Sequence, residues 1–151
     1  MSKRHAAPCA LCLLVCLAAA TQTLAASKHF HVSCEHFNDY AAKAADLYFK
    51  TDVAIEKNIL SHLTAVCAIY AEKARALEYM TEVAEHMTAK RDQIHVLERL
   101  RALKNAALTS LPQDVKLLTD LVEGQGNEHL RHLGNLVINE LRVFERNTDN
   151  L

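Results

Sequence analysis

The sequence predicts an all-α protein, a small bundle of four or five helices that opens with a helical hairpin stapled by one disulfide. Three observations carry that expectation. The 151 residues include three Gly, two Pro and no Trp, and the abundance of Ala, Leu, Glu and Lys favours helix over sheet. Apolar residues recur at spacings of three and four from Cys34 to Phe144, as helices with one buried face require. Cys34 and Cys67 stand symmetrically about position 50.5, inside the turn candidate Phe49-Lys50-Thr51-Asp52. In an antiparallel hairpin turning there, residues whose numbers sum to about 101 lie opposite each other. The two thiols meet that condition and are expected to pair near the open end. Closing such a loop stabilises a fold by about 3 to 4 kcal/mol in the chain-entropy account.

Taken in order, residues 1–25 read as an export signal. Lys3-Arg4-His5 supplies a charged start, Cys9 to Ala20 is almost unbroken apolar, and Thr23-Leu24-Ala25-Ala26 offers a small-residue cleavage site. The run is too short to favour a spanning helix. Val15 before Cys16 argues against a lipoprotein. Cleavage after Ala25 leaves residues 26–151 as one helical domain, secreted or periplasmic. Cleavage after Ala26 instead would expose Ser27-Lys28-His29, and an amine followed by histidine at the third position resembles a square-planar copper or nickel site. Removing Lys3 and Arg4 leaves 15 basic against 18 acidic side chains, a formal charge of −3. That balance gives no footprint for nucleic acid or an anionic membrane.

Ser33 reads as a helix cap, followed by the stripe Cys34, Phe37, Ala41, Ala44 and Tyr48. Ile55, Ile59, Leu63, Val66, Tyr70, Leu77, Met80, Ala84 and Met87 continue it in a second, longer helix. The turn between them lacks Gly and Pro, so one continuous helix from Ser33 to Met87 is the alternative. It would hold the two cysteines about 50 Å apart. Lys90-Arg91-Asp92 reads as the next break, with Asp92 capping a helix that carries Ile94, Leu97, Leu100, Leu103 and Ala107. Ser110-Leu111-Pro112-Gln113 reads as a capping box opening a short helix through Val115, Leu118, Leu121 and Val122. Gly124-Gln125-Gly126 ends that helix, and Asn127 caps a last one with Leu130, Leu133, Val137, Leu141 and Phe144 inward. The tail from Asn147 to Leu151 is expected to fray.

Few groupings carry chemistry. Glu128, His129 and His132 lie within one turn of each other, and such a histidine pair supplies two ligands of a metal site. With His29, they form the weak metal candidates, and His31 and His36 extend the histidine-rich start. The Glu-x-x-His repeat of di-iron bundles is absent, with Asp92-Gln-Ile-His95 the nearest approximation. Cys-x-x-Cys-His is also missing. Met80 and Met87 read as core filling. No serine sits in a strand-turn-helix elbow, and Glu82 and Glu85 read as a solvated face. No catalytic residue and no cofactor are expected, and the chain reads as a non-enzyme. The favoured function is protein–protein interaction, as an inhibitor, adaptor, effector or secretion accessory. The alternative is metal handling in the same compartment. The expected partner is a protein, a homodimer fits the same composition, and neither nucleic acid nor stable membrane insertion after cleavage is expected. The contact surface is placed in the aromatic half, at Tyr40, Phe49 or Tyr79.

Overall fold

The computed structural model describes the backbone of residues 10–151 and, from residue 26 onward, their side chains. Of the proposed signal, residues 1–9 and the side chains of the remainder therefore lie outside the described part. The elements are α1 (Ala10–Lys50), α2 (Ala54–His86), α3 (Lys90–Thr109), α4 (Leu111–Val122) and α5 (Glu128–Asp149). The result is an all-helical bundle. No strand occurs among the described residues, and no helix among them is long and apolar enough to cross a membrane.

The hairpin forms, and the continuous-helix alternative does not. Val53 adopts extended backbone between α1 and α2. A turn without Gly or Pro is possible because Thr51 takes over their work: its hydroxyl accepts from Val53 N at 3.2 Å and donates to Glu56 Oε2 at 2.5 Å. The register, however, is not the one that symmetry suggested. Phe37 meets Tyr70 at 5.8 Å between ring centroids, and His31 Nδ1 meets Glu78 Oε1 at 2.8 Å. Those pairs sum to 107 and 109, so each α1 residue faces a position on α2 six to eight residues, about two helical turns, beyond the one that a sum of 101 assigns. Cys67 consequently lies beside Tyr40, and Cys34 packs one turn from Asn38, whose amide donates to its sulfur at 3.6 Å. The expected Cys34–Cys67 disulfide is therefore corrected. The two are free, buried thiols in the α1–α2 seam, and among the described residues no cysteine pair stands at disulfide distance.

α1 packs along α2 and α5, while α3 and α4 close the far side against α2 and α5. Phe144, the lone aromatic of the second half, is the hub of the core. Its ring meets Phe30, Phe37 and Tyr70 at 6.0, 6.1 and 5.6 Å, each nearly edge-on, the geometry that aromatic quadrupoles favour. Gly134 lets α4 approach α5, since a Cβ there would collide with the buried Val122 side chain. Gly124 takes φ 81° and ends α4 as expected, and Asn127 Oδ1 accepts from His129 N and Leu130 N at 3.1 and 3.2 Å.

Several local expectations fail for physical reasons. Ser33 lies inside α1 and is 1% exposed, so it caps nothing. α3 starts at Lys90 after an extended Ala89, with no side-chain cap from Asp92. Ser110 is helical in backbone and its hydroxyl does not cap α4, because Lys73 has engaged it. The tail does not fray at Asn147. Thr148 is fully buried and bonds Phe144 O at 2.7 Å, and Lys104 Nζ holds Asp149 O at 2.8 Å. Ile55, Ile94 and Leu97, assigned to inward stripes, are 62, 58 and 55% exposed.

Candidate functional site

Two polar clusters join helices across the bundle. In the first, Glu140 of α5 is 7% exposed and receives the Ser33 hydroxyl on Oε1 at 2.7 Å and His36 Nδ1 on Oε2 at 2.9 Å. Tyr40 stacks on His36 at 6.0 Å, and burial, aided by the Glu140 charge, raises its phenol above the ordinary range. A buried carboxylate needs its lone pairs filled, and two helix-borne donors one turn apart on α1 fill them. The cluster contains serine, histidine and a carboxylate, but both donors meet the carboxylate. The serine is not placed on the imidazole as nucleophilic catalysis requires.

In the second cluster Tyr70 donates to Asp114 Oδ2 at 2.7 Å, while Lys73 Nζ donates to Ser110 Oγ at 3.0 Å and to Ala107 O at 3.4 Å. The ammonium also sits 4.3 Å from the centre of the Tyr70 ring. Burial pushes Lys73 below its ordinary range, against the pull of Asp114, and pushes the Tyr70 phenol upward. Here a hydroxyl, that of Ser110, lies beside an amine. The grooves at the α2–α3 end, along α3 and beside Thr51 are lined by other residues, and the cluster reads as a strut tying α2 to the α3–α4 junction.

The metal candidates are dispersed. His29 lies one residue before Phe30, which packs at the Phe144 end of α5, whereas Glu128 and His129 begin α5. His129 borders a hollow shared with Leu47, Lys50 and Thr51 at the hairpin turn. At 1.5 Å per residue along α1 these ends are about 30 Å apart. Glu128 lies 4.0 Å from Arg131, and His132 is exposed. Ser27, Lys28 and His29 belong to α1 with Ser27 8% exposed, so a square-planar amide set would require that turn to unwind. Among the described residues no three His, Cys, Asp or Glu side chains gather as a metal group.

Exposed large apolar residues are spread over the bundle, Val32, Ile69, Leu117 and Leu151 among them, but three fall together on one turn. At the hairpin tip Phe49 is 84% exposed, Val53 49% and Ile55 62%, with Tyr48 edge-on to Phe49 at 5.5 Å. At the other end of α2, Tyr79 is 64% exposed and borders a groove of about 390 Å³ with Met80, Val83, Met87, His95 and Val96. Of the three aromatic residues named from sequence, Phe49 and Tyr79 are thus on the surface, and Tyr40 is half-buried. Glu82 lines the same end, and Glu85 Oε1 is buried without a hydrogen-bond partner among the described residues.

The sequence reading missed Glu140, Asp114 and Lys73. Glu140 did carry a signal, because it falls between Val137 and Phe144 on the inward stripe of α5, where a charge demands an internal partner. Comparison with protein-family models, curated proteins and solved structures found no match.

Proposed function

We propose that this is an exported helical protein that acts by binding another protein through the tip of its α1–α2 hairpin, in the manner of an inhibitor, adaptor, effector or secretion accessory. The observation that carries the reading is the exposure of Phe49 beside Val53 and Ile55. A folded chain with a well-filled core has no structural use for three large apolar side chains on one short turn. Solvent exposure there is costly unless something covers it. The tip charges are largely satisfied locally: Lys50 bonds Asp46 at 2.6 Å and Glu56 accepts from Thr51. A near-neutral aromatic anchor with a polar rim suits a protein pocket better than a polyanion. The reading calls for neither a reaction nor a bound metal.

Covering Phe49 and Ile55 contributes about 1.5 to 3 kcal/mol each. Phe49→Ser with Ile55→Ser is therefore expected to weaken co-purification with the native partner by about a hundredfold or more. The melting temperature should stay within about 2 °C, because both positions are exposed. Undiminished partner recovery by a folded double variant rejects the tip as the contact.

A further inference from the structure

α3 departs from the charge balance of the rest of the chain. It holds Lys90, Arg91, Arg99, Arg101 and Lys104 against Asp92 and Glu98, a formal +3, within a span from 26 to 151 that totals −3. On the other helices several cations pair with a carboxylate on the same helix, as Lys43 does with Asp39, Lys50 with Asp46, Arg75 with Glu72 and Lys116 with Asp120. Among the described residues none of Lys90, Arg91, Arg99 and Arg101 has a carboxylate within 4.0 Å.

Those unpaired charges frame apolar side chains. Lys90, Ile94, Leu97 and Arg101 follow one another at steps of four, three and four residues, so they form a single row about 17 Å long on the outer face of α3. Ile94 and Leu97, 58 and 55% exposed, occupy its centre. Lys90 and Arg101 are exposed at its ends. The geometry points to this row as a docking face for an acidic amphipathic helix on a partner protein. Leucine-like residues of that helix would lie over Ile94 and Leu97, and its carboxylates would meet Lys90 and Arg101. The charges choose between occupants. A second copy of α3 would set +3 against +3, which is repulsive. A bilayer would receive only two large apolar side chains, where interfacial helices present a wide apolar face. The row is separate from the hairpin tip, and this binding does not depend on that contact.

The test is an anisotropy titration of the full chain with a fluorescein-labelled helical peptide of about 16 residues, built from Leu and Glu so that the Leu side chains form one stripe. Saturable binding is expected. It should weaken about tenfold or more in Lys90→Glu/Arg101→Glu and again between about 50 and 300 mM salt, and stay unchanged in Phe49→Ser. If the charge-reversed chain loses its helical circular dichroism, Lys90→Gln/Arg101→Gln replaces it with the same expectation. No saturation by about 200 µM peptide, a millimolar-or-weaker contact, overturns the assignment. So does equal binding of the counterpart with Lys in place of Glu. Co-sedimentation with phosphatidylglycerol vesicles, or concentration-dependent self-association, in a chain that ignores the peptide also overturns it.

Discussion

Replacing Glu140 by Ala removes the centre of the α1–α5 polar cluster, and the structure sets the size of the effect. The Ser33 hydroxyl, on a residue 1% exposed, loses a 2.7 Å bond to a carboxylate. An unsatisfied buried hydroxyl costs about 1 to 3 kcal/mol. Ser33 has a fallback, since a helical serine can turn back to the carbonyl four residues earlier, which places the loss toward the lower end. His36 adds little, because its side chain is 48% exposed and solvent screens that pairing. Removing a buried carboxylate also relieves its own desolvation. The net expectation is a destabilisation of about 1 to 2.5 kcal/mol, a fall of several degrees in melting temperature for a domain of this size. Ser33→Ala should cost a similar amount, because it strips a donor from a charge that stays buried. Urea denaturation of the two single variants and the double variant closes a cycle whose coupling energy should be about 1 to 2 kcal/mol. Effects that add to within about 0.3 kcal/mol would show that the two side chains do not meet, and the α1–α5 register would fall with them.

Other outcomes follow from the buried thiols and the helix contacts. Iodoacetamide at pH 8 should modify neither Cys34 nor Cys67 in the folded protein and both after denaturation, as peptide mapping would show, because both are buried free thiols. A linked Cys34–Cys67 peptide from the native protein would contradict the register. Burial pushes the Cys67 thiol up to about 12, from an ordinary value near 9. The folded state therefore keeps a proton that the unfolded chain releases. Stability from this group is fully present below about pH 9 and is lost toward pH 12, by at most about 1.4 kcal/mol per unit. Denaturation midpoints across that range should flatten in Cys67→Ala relative to the parent. Gly134→Ala should destabilise by about 1 to 2 kcal/mol by calorimetry, since collision with Val122 outweighs the better helix propensity of Ala, and Val122→Ala in the same chain should recover part of the loss.

The fold class was legible because helical periodicity survives without knowledge of neighbours, and because Gly124 and Asn127 act through their own backbone. The register was not. Symmetry about a turn assumes that both helices leave it in phase, whereas the helices on either side of the link Thr51–Val53 are offset by about two turns from that pairing. Capping was misread wherever a side chain had a stronger partner far away: Ser33 is held by Glu140, 107 positions distant, and Ser110 by Lys73, 37 positions distant. Such pairs leave no spacing in the sequence. Periodicity also identifies a helix face without revealing how much of it is covered. Ile55, Ile94 and Leu97 follow the pattern of buried residues, yet at the hairpin tip and along α3 no neighbouring helix reaches them. Those uncovered stretches are where the two proposed binding surfaces lie, and sequence periodicity alone does not distinguish them from buried faces.

The claim that the hairpin tip is where the protein meets its partner is tested most directly by site-specific photocrosslinking in the native compartment. A benzophenone side chain at Phe49 should form one discrete adduct of a defined protein, and the same group at the exposed Asn135 on α5 should not. The adduct should disappear when Ile55→Ser is added. Equal adducts from both positions, or a strong adduct from Asn135 and none from Phe49, would contradict the account.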